Sequence, residues 1–204
     1  MNILIIGDSC KDVFIYGEIT RLSPEAPVPV LNPLKEISND GMAKNVVNNV
    51  EALGINVYSV TNRNSIRKIR YVDKKSNQLV LRVDEHDYCD RISEKEMGGI
   101  NNNVYKVLGN TVHIDAIIIS DYCKGFLTED DIQYICENNK NVFVDTKKEL
   151  GDWVNSAKYI KINSLEYENN KTFFKNNSIM DKTIVTKGNE GCLFQDKIYP
   201  TKDV

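Results

Sequence analysis

The chain alternates between short, continuous apolar runs and stretches whose apolar residues recur at helical spacing. The run Ala116-Ile117-Ile118-Ile119 predicts a strand buried on both faces, as in the middle of a parallel sheet. After it, Thr128 is a good helix N-cap, followed by acidic residues that suit the positive end of a helix dipole. The same reasoning predicts strands at residues 3–6, 56–60, 142–145, 159–162 and 183–186, and helices at residues 42–53, 94–108 and around 150–154. This alternation favours an α/β fold with a mostly parallel sheet flanked by helices.

Two segments depart from that pattern. Residues 66–72 and 78–84 alternate polar and apolar side chains with period two, and a short polar turn joins them. They predict a β-hairpin with one polar face that stands outside the main sheet. Residues 21–31 carry prolines that cannot donate to a strand ladder, so we predict an extended edge segment there.

The composition narrows the class of protein. The 204 residues suffice for one domain, and the formal net charge of −3 gives no basic surface, so no nucleic acid is expected as a partner. Five scattered cysteines without a Cys-x-x-Cys pair favour reduced thiols over disulfides or zinc. With no visible signal peptide and no apolar run near the ~20 residues of a membrane span, we expect a cytoplasmic protein without a membrane partner.

Polar residues follow the buried strands directly, at the edge where open α/β sheets bind ligands. Asp121 and Lys124 come after the central run, and Asp8 and Asp12 come after the first strand. A solvated loop or a polar turn would explain each segment as well as a binding site would. Gly41 precedes the first predicted helix, where outward backbone N–H groups can bind an anion.

Two further motifs allow both a structural and a functional interpretation. Asn163-x-x-Glu166 has the pattern of a helix capping box. Thr186-x-Gly188-x-x-Gly191 fits an ordinary hairpin turn, and it equally fits a loop whose backbone N–H groups approach a phosphate. No Gly-x-Gly-x-x-Gly follows the first strand and no Walker A sequence is present, so those two nucleotide-binding fingerprints do not apply.

Taken in order, these motifs resemble the PfkB/ribokinase family of carbohydrate kinases. Within it, the chain is most similar to the kinases that phosphorylate D-glycero-β-D-manno-heptose 7-phosphate in ADP-heptose synthesis. The discriminating matches are Ser-Pro-Glu-Ala-Pro-Val-Pro-Val at residues 23–30 and Ser-Asp-Tyr-x-Lys-Gly at residues 120–125. The family-wide matches are Gly7-Asp8-x-x-x-Asp12, the helix start at residues 41–45, Gln78-x-x-x-Arg82-x-Asp84, Val144-Asp145-x-Lys147, Asn163-x-x-Glu166 and Thr186-x-Gly188-x-x-Gly191.

The resemblance implies transfer of the γ-phosphate of ATP to a sugar hydroxyl, with Mg²⁺ as the metal. Asp12, Gly41 and Asn45 would bind the sugar, and Arg70 and Arg82 would bind its phosphate, because guanidinium forks match phosphate oxygens. Asn163 and Glu166 would place Mg²⁺ through its waters. The full set of implied residues is Asp12, Gly41, Asn45, Arg70, Arg82, Asp121 and Lys124 for the sugar phosphate, and Lys147, Asn163, Glu166, Thr186, Gly188 and Gly191 for the nucleotide.

The resemblance also implies a lid. Residues of about 13–38 and 66–84 would cover the sugar and provide the contact of a homodimer. Only residues 61–65 separate the second strand from the lid hairpin, which is too few for a parallel crossover, so we expect one edge of the main sheet to be trimmed.

The chain departs from the family pattern in other places. Met42 and Lys44 stand where the family has small residues. The Gly-Ala-Gly-Asp motif, which in the family forms an anion hole and carries the catalytic base, is not found, so the base is unknown and is expected beyond Val204. We therefore expect residues 1–204 to be one ribokinase-like domain without its C-terminal part. A catalytically inactive module that binds sugar phosphate or dimerises is the alternative.

Overall fold

A computed structural model describes residues 1–201. None of the helices in this part of the chain has the length and apolarity needed to cross a bilayer. The strands are β1 Asn2–Gly7, β2 Ser9–Leu22, β3 Pro29–Met42, β4 Asn56–Thr61, β5 Ile66–Asp73, β6 Gln78–Glu85, β7 Ile100–Asn101, β8 Val104–Val107, β9 Asn110–His113, β10 Ala116–Asp121, β11 Val142–Thr146, β12 Tyr159–Asn163, β13 Thr183–Thr186, β14 Cys192–Phe194 and β15 Lys197–Tyr199. The α-helices are α1 Ala43–Glu51, α2 Glu94–Gly98, α3 Glu129–Asn138, α4 Ser164–Asn169 and α5 Lys171–Asn176.

The main sheet has eight strands in the spatial order β15-β14-β13-β12-β11-β10-β1-β4. The strands from β13 to β4 in this order pair parallel, and β14 and β15 add an antiparallel hairpin at one edge. This confirms the α/β fold with a mostly parallel sheet. The carboxyl ends of the parallel strands meet at one edge of the sheet, where the polar segments predicted to bind ligands lie.

The core forms on both faces of β1 and β10. Leu4 and Ile119 pack in one buried cluster with Ile132 of α3, whereas Ile5 and Ile118 pack on the opposite face with Val50 of α1. Full burial of an Ile or Leu side chain stabilises the fold by about 1.5–3 kcal/mol. The continuous apolar runs thus form strands because side chains on both faces meet helices.

A second sheet of four strands stands apart from the main one, in the order β3-β2-β5-β6. It contains the hairpin predicted from period-two alternation, as β5 and β6. The extended edge segment predicted at residues 21–31 is only partly present, because residues 23–28 form the turn between the long strands β2 and β3. Pro29 and Pro33 do lie in an extended edge strand, β3, where a missing N–H is tolerated. The chain passes from β4, at the edge of the main sheet, directly into β5 of the second sheet.

The helix predicted for residues 94–108 is wrong beyond Gly98. The segment that follows is an antiparallel sheet of β7, β8 and β9. Asn102 and Asn103 have φ values of 53° and 57°, and Leu108 and Gly109 have 48° and 82°, so each pair makes a tight turn that a helix cannot contain. The helix predicted around residues 150–154 is only a single 3-10 turn, Asp152–Val154.

Candidate functional site

A cavity of about 470 Å³ opens between the second sheet and the start of α1. Asp12, Gly41, Asn45, Arg70 and Arg82, all predicted to contact the sugar phosphate, line it. These residues come from β2, β3, α1, β5 and β6 and meet because the second sheet faces the helix start. The structure thus brings together five of the residues that the resemblance implies.

Asp12 lies at the centre of the cavity wall. Its Oδ1 accepts a hydrogen bond of 2.6 Å from Nη1 of Arg70, and the Arg70 guanidinium lies 5.1 Å from the centre of the Phe14 ring. A Cβ built on Gly41 would lie only 2.2 Å from Asp12 Oδ2 and 2.6 Å from Cys10 Sγ. Glycine at position 41 therefore lets the carboxylate sit against the backbone that precedes α1. Burial, followed by the nearby charge of Asp12, raises the pKa of the Cys10 thiol to about 11, so it stays protonated at neutral pH.

Arg82 also has a carboxylate partner. Its Nε and Nη2 donate to the two oxygens of Asp84 at 2.7 and 2.8 Å, a bidentate pair. The hydrogen bonds from Arg82 hold the pKa of Asp84 below its usual value, and Asp84 raises the pKa of Arg82. Both arginines predicted to bind phosphate are thus already paired with acids.

Asp121 and Lys124 lie outside the cavity lining. Asp121 is 1% exposed, and its carboxylate accepts hydrogen bonds from Lys148 Nζ at 2.9 Å and Thr146 Oγ1 at 2.6 Å. Lys124 Nζ forms an ion pair of 2.5 Å with Asp87. In these positions both residues hold the loop after β10 in place, and their contact with a sugar phosphate stays a prediction.

Asp8 also has a structural role. It is fully buried, and its carboxylate accepts hydrogen bonds from the backbone N–H groups of Tyr122 and Phe126 at 2.5 and 3.3 Å. Its backbone oxygen accepts from Ala43 N at 2.9 Å. Asp8 therefore ties the end of β1 to the loop after β10 and to the start of α1.

The residues predicted for the nucleotide meet at the ends of β12 and β13, where Asn163 pairs in register with Thr186. The capping box is present: Asn163 Oδ1 accepts from Glu166 N at 2.9 Å, and Glu166 Oε2 accepts from Asn163 N at 2.8 Å. Glu166 also pairs with Lys147 Nζ. Burial lowers the pKa of Lys147, but the hydrogen bond and charge of Glu166 outweigh it and leave the pKa raised. The edge thus presents a carboxylate, an amide and an ammonium side by side.

Glu166 and Asn163 fit Mg²⁺ only as two of its oxygen ligands, with the other ligands coming from elsewhere. Across residues 1–201, no group of three or more His, Cys, Asp or Glu side chains is placed to enclose a metal ion. Mg²⁺ keeps several waters and commonly takes one or two carboxylates together with substrate phosphates. One carboxylate beside one amide oxygen suits that mode, with the nucleotide supplying the other oxygens.

The glycine-containing segment after β13 forms the predicted hairpin turn. Gly188 and Gly191 have φ values of 60° and 94°, and a Cβ on Gly191 would lie 1.9 Å from the backbone oxygen of Tyr199. Lys187 N donates to Gly191 O at 2.8 Å and closes the turn. Glycine at position 191 is thus required by the close approach of β15, and a contact of this turn with phosphate stays a prediction.

Comparison with known proteins finds HldE proteins among the relatives of this chain. The bifunctional protein HldE of Aliarcobacter butzleri is 36% identical over 179 residues, which is 72% of this chain and 36% of that protein. The HldE protein of Nitratiruptor is 30% identical over 195 residues, 81% of this chain and 40% of that protein. The chain therefore spans about two fifths of the length of the curated relatives it matches. No profile of a known protein family matches it.

Solved structures agree on the fold. Ribokinase from Thermotoga maritima matches with a TM-score of 0.58 at 14% identity, over 99% of this chain and 78% of that one. Phosphofructokinase-2 from Escherichia coli in complex with fructose-6-phosphate matches with a TM-score of 0.57 at 10% identity, over 98% and 78%. The chain is a ribokinase-fold homologue of the HldE proteins. The resemblance to the PfkB/ribokinase family and its heptose-phosphate kinases is confirmed.

Lys68 and Tyr122 also line the cavity in this ribokinase-like fold, and neither was predicted as a site residue from the sequence. The Tyr122 ring has Lys68 Nζ at 5.6 Å from its centre and Lys147 Nζ at 5.7 Å, so it links the cavity to the edge formed by Asn163 and Glu166. Lys68 could have been found from period two, because it shares a strand face with Arg70. Tyr122 lies in the Ser-Asp-Tyr-x-Lys-Gly motif, but only its charged neighbours Asp121 and Lys124 were predicted as site residues.

Proposed function

We propose that this chain is a sugar-phosphate kinase of the heptose 7-phosphate type, which uses ATP and Mg²⁺. The observation that carries the proposal is the cavity that holds Asp12 against Gly41 and opens beside Tyr122 toward the edge formed by Asn163 and Glu166. The similarity of this chain to HldE proteins of two genera supports a sugar phosphate as the substrate class.

On the sugar side, Asp12 accepts hydrogen bonds from sugar hydroxyls. It suits this role because its ion pair with Arg70 holds the carboxylate in place, and because Gly41 leaves room beside it. Asn45, on the first turns of α1, adds an amide that both donates and accepts. The second sheet, which provides most of the cavity wall, acts as the lid.

On the nucleotide side, Lys147 and the turn of Thr186, Gly188 and Gly191 contact the phosphates of ATP. Glu166 and Asn163 would hold Mg²⁺ through its waters, and the bound ion would supply positive charge for the phosphates during transfer. Phosphoryl transfer depends mainly on placing the donor and acceptor in line and on charge neutralisation. The chain's own residues therefore act by holding the sugar hydroxyl and the nucleotide on the two sides of Tyr122.

A second candidate is a module that binds the sugar phosphate without turnover. Asp121, at a neighbouring strand end, is the carboxylate that would be considered as a base in place of the missing one. Its surroundings favour the candidate without turnover. Its two oxygens are buried and bonded to Lys148 and Thr146, so it does not reach a hydroxyl in the cavity. The catalytic base therefore stays unassigned.

We further propose that the protein is a cytoplasmic homodimer that assembles through the lid. The second sheet exposes large apolar side chains to solvent: Leu34 is 53% exposed, Leu79 55% and Leu81 54%. Exposed apolar residues concentrated on one small sheet favour a protein contact there.

The test of the kinase proposal is an assay of ADP release with heptose 7-phosphate and with related sugar phosphates. ADP release that depends on the sugar phosphate is the expected result for the kinase. Saturable binding without ADP release supports the second candidate. Absence of both binding and ADP release overturns the proposal.

A further inference from the structure

Lys68 is a buried cation without an acidic partner. It lies in β5, is 9% exposed and lines the cavity. Among residues 1–201, no carboxylate oxygen lies within 4.0 Å of its ammonium group, and no acceptor hydrogen-bonds to it. The Tyr122 ring, 5.6 Å away, is the aromatic group that faces it.

The strand register explains how this charge is left over. Lys68 stands opposite Asp12 on β2 and opposite Asp84 on β6. Each of these acids pairs diagonally with an arginine instead, Asp12 with Arg70 and Asp84 with Arg82. Three cations share two carboxylates on this face, so one positive charge remains and it sits on Lys68.

An ammonium group that is partly withdrawn from water and has no anion beside it opposes folding, because it loses part of its hydration. Attraction to the face of an aromatic ring compensates only part of that loss. A side chain in this state suits an anion that enters the cavity and replaces the missing partner. An ammonium has three donors, which match the oxygens of a phosphate group.

We propose that Lys68 binds the phosphate group of the sugar phosphate, in the place that the sequence resemblance gives to Arg70 and Arg82. The two arginines then hold Asp12 and Asp84 in place through their ion pairs, and the unpaired positive charge of the cavity lies on Lys68. This inference rests on the proposed function for the identity of the ligand, but the residue and the phosphate chemistry follow from the contacts alone. Lys147, on the same Tyr122 ring, already pairs with Glu166 and serves the nucleotide.

The test compares the wild-type chain with Lys68→Met, which keeps the stem and removes the charge. Titration calorimetry measures binding of heptose 7-phosphate, of the unphosphorylated heptose and of ATP. We expect the affinity for heptose 7-phosphate to fall by about 10–100-fold, the loss typical of a hydrogen bond to a charged group, with that for ATP unchanged. Lys68→Arg should recover part of the affinity. Lys11→Met is the matched control, because Lys11 on β2 is already paired with Asp40.

Thermal melting in phosphate and in chloride at equal ionic strength separates binding from a folding defect. In chloride, Lys68→Met should melt no lower than the wild type, because an unpaired and partly dehydrated charge has been removed. Phosphate should raise the melting temperature of the wild type and leave that of Lys68→Met unchanged. Unchanged heptose 7-phosphate affinity, a lower melting temperature of the variant in chloride, or a loss confined to ATP would each overturn the inference. Since these measurements need no turnover, failure of the ADP-release assay alone would affect only the kinase proposal.

Discussion

The carboxylate of Asp12 lies so close to Gly41 that a Cβ at position 41 would be 2.2 Å from Asp12 Oδ2. Gly41 does not have a positive φ, so its role is to leave space and not to permit an unusual backbone. Asp12, the acid proposed to bind the sugar, and the backbone before α1 can share one corner of the cavity only because the residue there is glycine.

Gly41→Ala should therefore displace Asp12 while the fold is retained. We expect the affinity for sugar phosphate to fall by about 1–3 kcal/mol, the cost of losing a hydrogen-bond partner in a partly buried site. Titration calorimetry measures this loss. Gly98→Ala in α2 is the control, because a Cβ there meets no atom within 4 Å. Equal affinities for the two variants would contradict the role of this contact.

Glu166→Gln separates the structural from the functional interpretation of the capping box. Glutamine also fits the box, so α4 should stay folded, but the charge that faces Lys147 and that is proposed to hold Mg²⁺ is lost. We expect the affinity for Mg²⁺-ATP to fall by about 10–100-fold, as is typical when a group that orients a metal is altered. Glu96→Gln changes the other capping box, that of α2, and should leave ATP binding unaffected. If ATP binds Glu166→Gln as tightly as the wild type, Glu166 has only the capping role.

Leu81→Glu tests the lid contact. Leu81 lies on β6, an edge strand of the second sheet, and is 54% exposed. A charge buried in an apolar contact opposes association, so sedimentation velocity should show a dimer for the wild type and a monomer for the variant. Leu53→Glu, at a residue that is 75% exposed beyond α1, should stay a dimer. A wild-type chain that sediments as a monomer would rule out this contact.

Acid stability should depend on Asp131, the N3 residue of α3. Burial raises the pKa of its carboxyl, but the hydrogen bonds from Arg91 and Thr128 outweigh that effect and leave the pKa below 3.8. A lowered pKa in the folded state gives stability that is fully present above the unfolded pKa, and that is lost as the pH falls through the folded value. Asp131→Asn should therefore lower the free energy of unfolding by about 1–3 kcal/mol at neutral pH.

The difference between Asp131→Asn and the wild type should shrink below pH 3.8. Denaturant unfolding followed by circular dichroism at a series of pH values measures it. Asp130→Asn, an exposed neighbour in the same helical turn, should change stability by less than about 0.5 kcal/mol. A difference for Asp131→Asn that persists unchanged into acid would show that its charge contributes nothing.

The parallel strands of the main sheet were predictable from sequence, because the apolar runs of its central strands are buried on one face by α1 and on the other by α3. The meander after Gly98 was not, because Ile100, Val104 and Val107 also fit helical spacing. What decides that segment is the turn geometry of Asn102-Asn103 and Leu108-Gly109, which apolar periodicity does not detect.

The candidate site shows the same division. Motif order selected Asp12, Gly41 and Asn45, and the structure places all three around one cavity. The partners of Asp121 and Lys124, which are Lys148 and Asp87, lie 27 and 37 residues away in sequence, so these ion pairs were not visible. The position of Lys68 on the polar face follows from period two, but its lack of a partner was not predictable because it depends on the register of three strands.

We propose that this cavity binds a sugar phosphate through Asp12. Titration of the wild-type chain and of Asp12→Ala with heptose 7-phosphate tests it most directly, with circular dichroism to show that both are folded. We predict saturable binding by the wild type and a loss of about 1–3 kcal/mol in the variant. Equal affinity of the two proteins, or no binding by the folded wild-type chain, would contradict the account.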